Sequence, residues 1–360
     1  MRVSFVLPKL YDHPIGGYKV HYQYANALAA MGHEVTLVHP TADRGRPRLT
    51  DWAFYAAAKM RARREHGIPI SWITFEPGIR SVLIPALSSR HLPVADVTVL
   101  TAWQTAERTK DAAPQAGILA QIVYDYEFWM SDAKVRPRLE AALGRRDVRQ
   151  IATSGVVAGM LREIGATPVA TVNAGLNEGE FGVDAPIDGR DRVIVFPCRL
   201  EVAKDVSTAI AAAKLILREE PRVTIECFGQ TPRVPLPPGM TSRGRISHAE
   251  LRALYNRASI FLLTSRYEGW GLPVAEAMAC GAAVISTACG GVEDFLEDER
   301  NGLLVPIGDP HAMAGAALGL LSDETTRVRL ATTGAHDAAQ MSVQRSSEQL
   351  EQVLASLLGR

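Results

Sequence analysis

The 360-residue chain is 47% hydrophobic, enough to bury a large core, and its length points to two α/β domains more than to one. Its 39 Lys plus Arg balance 39 Asp plus Glu, so no overall field draws it to nucleic acid or to an anionic membrane, and any such attraction must be local. The opening run Arg2 to Pro8 is too short for a secretory apolar region and no later stretch reaches membrane-spanning length, which makes a cytoplasmic protein the expectation.

In chain order, Val3 to Leu7 reads as a short strand, followed by a Gly-containing loop, a helix from about Tyr18 to Met31 and a strand from Glu34 to His39. Val20, Tyr24, Leu28 and Met31 recur at helical spacing, and Gly32 is placed to end the helix. This is a β-loop-α-β opening. Tryptophan 52, Phe54 and Tyr55 flank the basic run Arg61 to Arg64, which reads either as a solvated helix face or, over residues 52–64, as a peripheral contact with a membrane or an anionic acceptor. Further strands are expected at Ser81 to Ile84, Val97 to Leu100, Gly117 to Val123, Gln150 to Thr153 and Pro168 to Val172, giving one doubly wound domain over residues 1–180.

Residues 181–192 turn to Gly, Pro and Asp without apolar periodicity, as a linker does. The βα pattern then restarts over 193–335. Strands are expected at Val193 to Pro197, Val223 to Phe228, Ile260 to Thr264 and Ala283 to Thr287, with helices at Asp205 to Arg218, His248 to Ala258, Pro273 to Ala279 and Pro310 to Leu321. A last helix, about His336 to Leu358, has apolar positions at Val343, Leu350, Val353, Leu354 and Leu357 and could pack back onto the first domain. The four cysteines, Cys198, Cys227, Cys280 and Cys289, lack paired spacing and read as reduced core thiols, and no metal site is visible.

The most informative stretch runs from Ser265 to Gly281, where a strand ends in a Gly-rich loop that opens a helix with Pro273 at its start. Gly269 and Gly271 let backbone amides approach a ligand, and the helix terminus adds partial positive charge, so a diphosphate is the natural guest. Glu268 in the loop and Glu276, eight positions on and placed in the first helical turn, bracket that site. Two readings of the pair stand side by side: acids that merely offset the helix dipole, or carboxylates that hold sugar and ribose hydroxyls.

The whole stretch, Glu268-Gly269-Trp270-Gly271-Leu272-Pro273 through Glu276-Ala277-Met278-Ala279 and Gly281, resembles the E-x7-E motif of glycosyltransferase family 4. The likeness extends to Gly290 through Asp294, to Asn301 through Pro310, and back to Arg199-Leu200 with Lys204, so it spans the second domain. It implies the GT-B fold, two Rossmann-like domains facing a cleft, closing about the linker to exclude water. It also implies a retaining transfer from a nucleoside-diphosphate sugar without metal or other cofactor. Glu268, Arg199 and Lys204 would then be catalytic, the two cations neutralising the leaving phosphate.

Gly269, Trp270, Gly271, Leu272 and Glu276 would bind donor, with Gly229 and Ile246 near the base. Cys198 and Asp205 stand where the family usually or often has Gly, which stiffens that loop. Gly16 and Gly17 resemble the family's N-terminal Gly-Gly loop, although a paired Gly is also a common turn. Asp125 and Glu127, in Tyr124 to Trp129, occupy the place where many relatives carry a His, and either contacts the reacting groups or is a capping acid. Asn173 to Asn177 with Phe181 resembles the stretch that ends the family's first domain. The acceptor is left open among small molecules, glycans and lipid-linked sugars, in a natural-product or cell-envelope setting. A nucleotide-sugar 2-epimerase and a non-catalytic sugar-nucleotide-binding partner protein are the alternatives.

Overall fold

The computed structural model describes residues 1–12, 16–42, 47–64, 70–88, 90, 92–110, 114–124, 132–177, 179–230 and 235–360, with the side chains of 63 and 64 excepted. The chain forms two compact units, one of Met1–Gly175 with Val343–Arg360 and one of Leu176–Ser342.

In the first unit, β1 (Arg2–Val6), α1 (Gly16–Ala30), β2 (Glu34–Ala42), α2 (Leu49–Arg64), β3 (Arg80–Ala86), β4 (Val97–Leu100) and α3 (Trp103–Arg108) come first. Then follow β5 (Ile118–Val123), α4 (Arg136–Leu143), β6 (Val148–Ala152), α5 (Gly155–Glu163) and the two-residue β7 (Ala170–Thr171). The seven strands are parallel in the order β3-β2-β1-β4-β5-β6-β7. Chain direction across the sheet reverses at β1/β4, where a doubly wound sheet leaves a crevice beyond its carboxyl ends. Val3, Phe5 and Val6 are fully buried, so β1 is covered on both faces, as a central parallel strand must be.

The second unit repeats the plan with β8 (Val193–Cys198), α6 (Val206–Glu219), β9 (Thr224–Gly229), β10 (Met240–Ser242), α7 (His248–Arg257) and β11 (Ile260–Leu263). It continues through α8 (Leu272–Ala279), β12 (Ala283–Thr287), β13 (Leu303–Val305), α9 (Pro310–Ser322) and α10 (Glu324–Ala338). Its parallel sheet runs β10-β9-β8-β11-β12-β13, with the reversal at β8/β11. Ile194, Phe196, Ile225, Ile260, Leu262 and Ile285 from the strands meet Ala209, Ala213 and Ile216 of α6 in one core.

Residues 181–192 are not a free linker. Phe181 is buried against the Tyr255 ring, with centroids 6.0 Å apart. Asp184 pairs with Arg252. The Arg190 guanidinium donates to the carbonyls of Ala258 at 3.0 Å, Gly281 at 2.9 Å and Cys280 at 2.9 Å. Those carbonyls end α7 and α8, which lack intrahelical partners there and carry partial negative charge, so one cation satisfies both ends. The second unit therefore begins near Leu176. The last helix is also shorter than expected. His336 lies in the last turn of α10, which stops at Ala338; a short non-helical stretch over 339–342 follows, and α11 (Val343–Leu357) belongs to the first unit. There Leu350 and Leu354 are fully buried, Glu351 reaches His33 at 3.3 Å, and Gln349 donates to the Thr171 carbonyl at 3.1 Å.

Two buried histidines lie in the first unit. His39 sits between the Tyr22 hydroxyl at 3.0 Å and Ser81 Oγ at 3.2 Å, and His21 meets Tyr124 edge-on, 5.2 Å between centroids. Burial pulls each down from 6.5 to about 3, with the Thr101 backbone partly opposing this at His21. Both are neutral when folded and take up a proton when unfolded between those values, so stability is lost as pH falls below 6.5. From pH 6.5 to pH 5 the two together cost about 3 kcal/mol. Urea unfolding followed across that range should show this slope, and His39→Gln should roughly halve it.

Candidate active site

At the carboxyl end of β8 the chain turns through Arg199 to a short 3-10 turn, Val202–Lys204, and then to Asp205. Asp205 adopts the left-handed conformation (φ 41°) and caps α6, accepting from the Thr208 amide at 3.4 Å and from Ser207 Oγ at 2.6 Å. A glycine would hold that φ more easily, but the aspartate adds the cap. Its other oxygen forms an ion pair with Arg266 Nε at 3.2 Å, while the Arg266 amide donates to the Ala203 carbonyl at 2.7 Å. The Thr264 hydroxyl donates to the Asp205 carbonyl at 3.1 Å. The loop after β8 is thus sewn to the loop after β11, across the reversal of the sheet.

This stitching brings Lys204 Nζ to 2.9 Å from Glu268 Oε1, which also accepts from Ser265 Oγ at 2.6 Å. Glu268 is 8% exposed. Its amide donates to the Cys289 carbonyl at 2.8 Å and its carbonyl accepts from the Gly291 amide at 2.8 Å, so its backbone is held as firmly as its side chain. The approach is close enough that a Cβ on Gly291 would stand 2.2 Å from the Gly269 oxygen. Gly271 caps α8 at φ 96°, where a side chain would also meet Val292 at 2.6 Å. Leu272 is the first residue of α8 and half-buried.

Two expected placements change. Glu276 is the fifth residue of α8, in its second turn, and accepts from the buried Tyr255 hydroxyl at 3.4 Å. It lies deeper along the helix because α8 begins directly after the Gly271 cap at Leu272, one residue before the expected start at Pro273. The Trp270 side chain turns inward against Phe295, 4.7 Å between centroids. A large indole gains more from burial there than from solvent.

Arg199 is 53% exposed at its side chain and paired with Glu201 at 3.0 Å. Such an exposed pair is worth about 0–1 kcal/mol, little enough for a phosphate to displace. Gln230 ties the next loop in, its side chain accepting from the Leu200 amide at 2.9 Å and its own amide donating to the Cys198 carbonyl at 2.8 Å. Gly229 (φ 111°) passes so near that a Cβ would lie 2.7 Å from the Cys198 oxygen, and its amide donates to the Gly244 carbonyl at 2.7 Å. That bond sets Gly229 beside the 244–246 loop with the half-buried Ile246. Arg199, Lys204, Gly229, Glu268 and Gly271 therefore line the carboxyl edge of one sheet. Ser265, Arg266 and Tyr255 are neighbours of these residues to which the sequence assigned no role, whereas Gln230 lies in the loop it placed near the base. Only the three-residue spacing of Ser265 and Glu268 hinted at one of them.

In the first unit, Gly16 and Gly17 begin α1, exposed and with open space where a side chain would project. Asp125 and Glu127 lie outside the described residues. A cavity of about 580 Å³ opens where β1, β4 and β5 end, lined among others by Lys9, Tyr18, Trp103, Arg108, Tyr124 and Arg138. The Arg138 guanidinium lies 5.4 Å above the Trp103 ring and is held by Glu107 at 2.7 Å. All four cysteines are buried and unpaired. Among the described residues no group of three His, Cys, Asp or Glu is placed to hold a metal, and no helix is long and apolar enough to cross a membrane.

Residues 191–323 match the family model described as Glycosyl transferases group 1. The chain is 35% identical over 108 residues to D-inositol 3-phosphate glycosyltransferase of Corynebacterium urealyticum, covering 30% of this chain and 26% of that protein. The chain thus spans about a quarter of that curated relative. Among solved structures it is similar along its whole length to sucrose-phosphate synthase of Thermosynechococcus elongatus (19% identity, 99% of each chain, TM-score 0.75). It is equally similar to Anabaena HepE in complex with UDP and glucose (17% identity, 99% of this chain and 100% of that one, TM-score 0.75). These likenesses show the fold: two parallel-sheet α/β domains of the GT-B type.

Gly291→Ala should disrupt the Glu268 loop, because the clash is with backbone that cannot turn aside. We expect a loss of about 2–4 kcal/mol by urea unfolding. Ala282→Gly, in the same unit, serves as a control for substitution as such.

Proposed function

We propose that this chain is a cytoplasmic, metal-independent glycosyltransferase of the family 4 type, moving a sugar from a nucleoside diphosphate to an acceptor hydroxyl with retention of configuration. The observation that carries this reading is the Lys204–Glu268 pair at the β8/β11 reversal, with Glu276 eight residues further on. The family likeness over 191–323, and the solved relative bound to UDP and glucose, support it.

Lys204 and Arg199 take the diphosphate, aided by amides of Gly269 to Leu272 at the start of α8, and neutralise the charge that grows on the leaving phosphate. Glu268, fixed by Ser265 and by its own backbone, orients the sugar and stabilises the positive charge at its anomeric carbon. Glu276 holds the ribose, and Gly229 and Ile246 meet the base. The bond from anomeric carbon to phosphate oxygen breaks and the bond to the acceptor oxygen forms on the same face. The acceptor proton passes to the leaving phosphate. Gly16, Gly17 and Asp125 serve the donor phosphate and the reacting hydroxyls. The acceptor is a small molecule, a glycan or a lipid-linked sugar.

The test is a thermal-shift screen of UDP, GDP, dTDP, ADP and CMP with and without EDTA, followed by turnover of the matching sugar nucleotide. At a hundredfold excess over Kd, one nucleotide should stabilise the wild type by about 2.7 kcal/mol irrespective of EDTA. Lys204→Ala should abolish the shift. Glu268→Gln should keep the shift but lower turnover by about 10²-fold or more. Release of an epimerised sugar nucleotide without acceptor would replace this reading with the 2-epimerase. Binding without turnover over a broad acceptor panel would leave a sugar-nucleotide-binding partner.

A further inference from the structure

Of the nine large apolar side chains that the described residues leave exposed, four lie on α2: Leu49 at 89%, Trp52 at 49%, Phe54 at 50% and Met60 at 54%. Apolar residues scattered singly over a surface are ordinary, but four on one helix are not. Helical spacing sets Leu49, Trp52, Ala53, Ala56 and Met60 on one side, and all five are exposed. The stripe is about 16 Å long at 1.5 Å per residue. Asp51, Tyr55, Ala58 and Ala62 form the other side, half-buried where α2 packs on β2 and β3. The helix therefore carries its larger apolar side chains outward, the reverse of what packing on a sheet asks.

Charge discriminates among occupants. The helix carries Lys59, Arg61, Arg63 and Arg64 against the single acid Asp51, and Arg48 precedes it, in a chain whose totals cancel. Arg61 is held by Asp12 at 2.8 Å. Lys59 lies 5.5 Å over the Tyr55 ring and donates to its hydroxyl at 3.3 Å, at the rim of the apolar stripe. The Trp52 ring stands edge-on to Tyr55, 5.9 Å between centroids. A nucleic acid has no use for the stripe, and a second copy of this chain would set like charges against each other. A surface that is apolar just beneath a layer of negative charge matches both features.

We propose that α2 lies in the face of a bilayer containing anionic phospholipid, with Leu49, Trp52 and Met60 at the boundary between headgroups and acyl chains and Arg48 and Lys59 at the phosphates. The contact is reversible, since one helix with a few cations anchors weakly. It does not depend on the transferase reading, because none of these residues belongs to the second unit.

The test uses the full chain with sedimentable vesicles of phosphatidylcholine alone, or with about 30% phosphatidylglycerol, at about 0.1 M and 0.5 M NaCl. We expect binding only to the anionic vesicles, reduced about tenfold or more at the higher salt. Combined Leu49→Ser, Trp52→Ser and Met60→Ser should weaken it by about tenfold or more. Combined Arg48→Glu and Lys59→Glu should weaken it at low salt only. Both variants should unfold in urea like the wild type, since the replaced side chains are exposed. Absence of sedimentation at low salt, or binding indifferent to both variants, overturns the proposal. A concentration-dependent dimer lost in the triple variant, without vesicle binding, assigns the face to a second copy and also overturns it.

Discussion

The second unit is organised around one short ion pair, Lys204 to Glu268, spanning the place where the sheet reverses direction. Beyond β8 and β11 the loops diverge, since connections on the two sides of a switch point lead away from each other. Here Arg266 holds Asp205, Thr264 holds the Asp205 carbonyl, and Ser265 shares the Glu268 oxygen with Lys204. The pair is largely screened from solvent, so it is stronger than the exposed Arg199–Glu201 pair beside it. The site thus joins a rigid carboxylate to a cation that is easily released. That division suits the capture of a phosphate next to a group that must not move.

Rigidity also comes from backbone crowding. The Glu268 to Gly271 loop bridges to Gly290, and Gly291 runs against Gly269 and Gly229 against Cys198 at separations that leave no room for a side chain. Asp205 takes the left-handed backbone and uses its carboxylate as the α6 cap. The first unit solves a different problem. Its sheet end gathers Tyr18, Trp103 and Tyr124 with Lys9, Arg108 and Arg138 around a cavity, above histidines that burial keeps neutral.

Much was legible beforehand because periodicity and turn chemistry are local. The βα alternation placed β1, α1, β2, β8, α6, β11, α8 and β12 within a few residues, since buried parallel strands read as short apolar runs. The three-residue strands β10 and β13 carry too little pattern to register. The segment 181–192 misleads for another reason: Gly, Pro and Asp report the absence of a repeating element, not the absence of contacts. Arg190 and Phe181 anchor that segment to helix ends and a ring that lie far along the chain. The inward turn of the Trp270 indole is likewise not legible locally, because it depends on Phe295, twenty-five positions on.

The residues alone determined the two-unit plan, the Gly-rich turn into a Pro-initiated helix, and the two glutamates eight positions apart, since each depends on neighbours within a few turns of chain. Only the tertiary structure decided that Lys204 meets Glu268 across sixty-four positions, that Ser265 completes the carboxylate's contacts, and that Glu276 sits one turn into its helix beside Tyr255. The sequence raised the return of the last helix to the first unit, and the structure groups Val343–Arg360 there. Those outcomes rest on strand order and side-chain packing between distant segments, which no local pattern encodes.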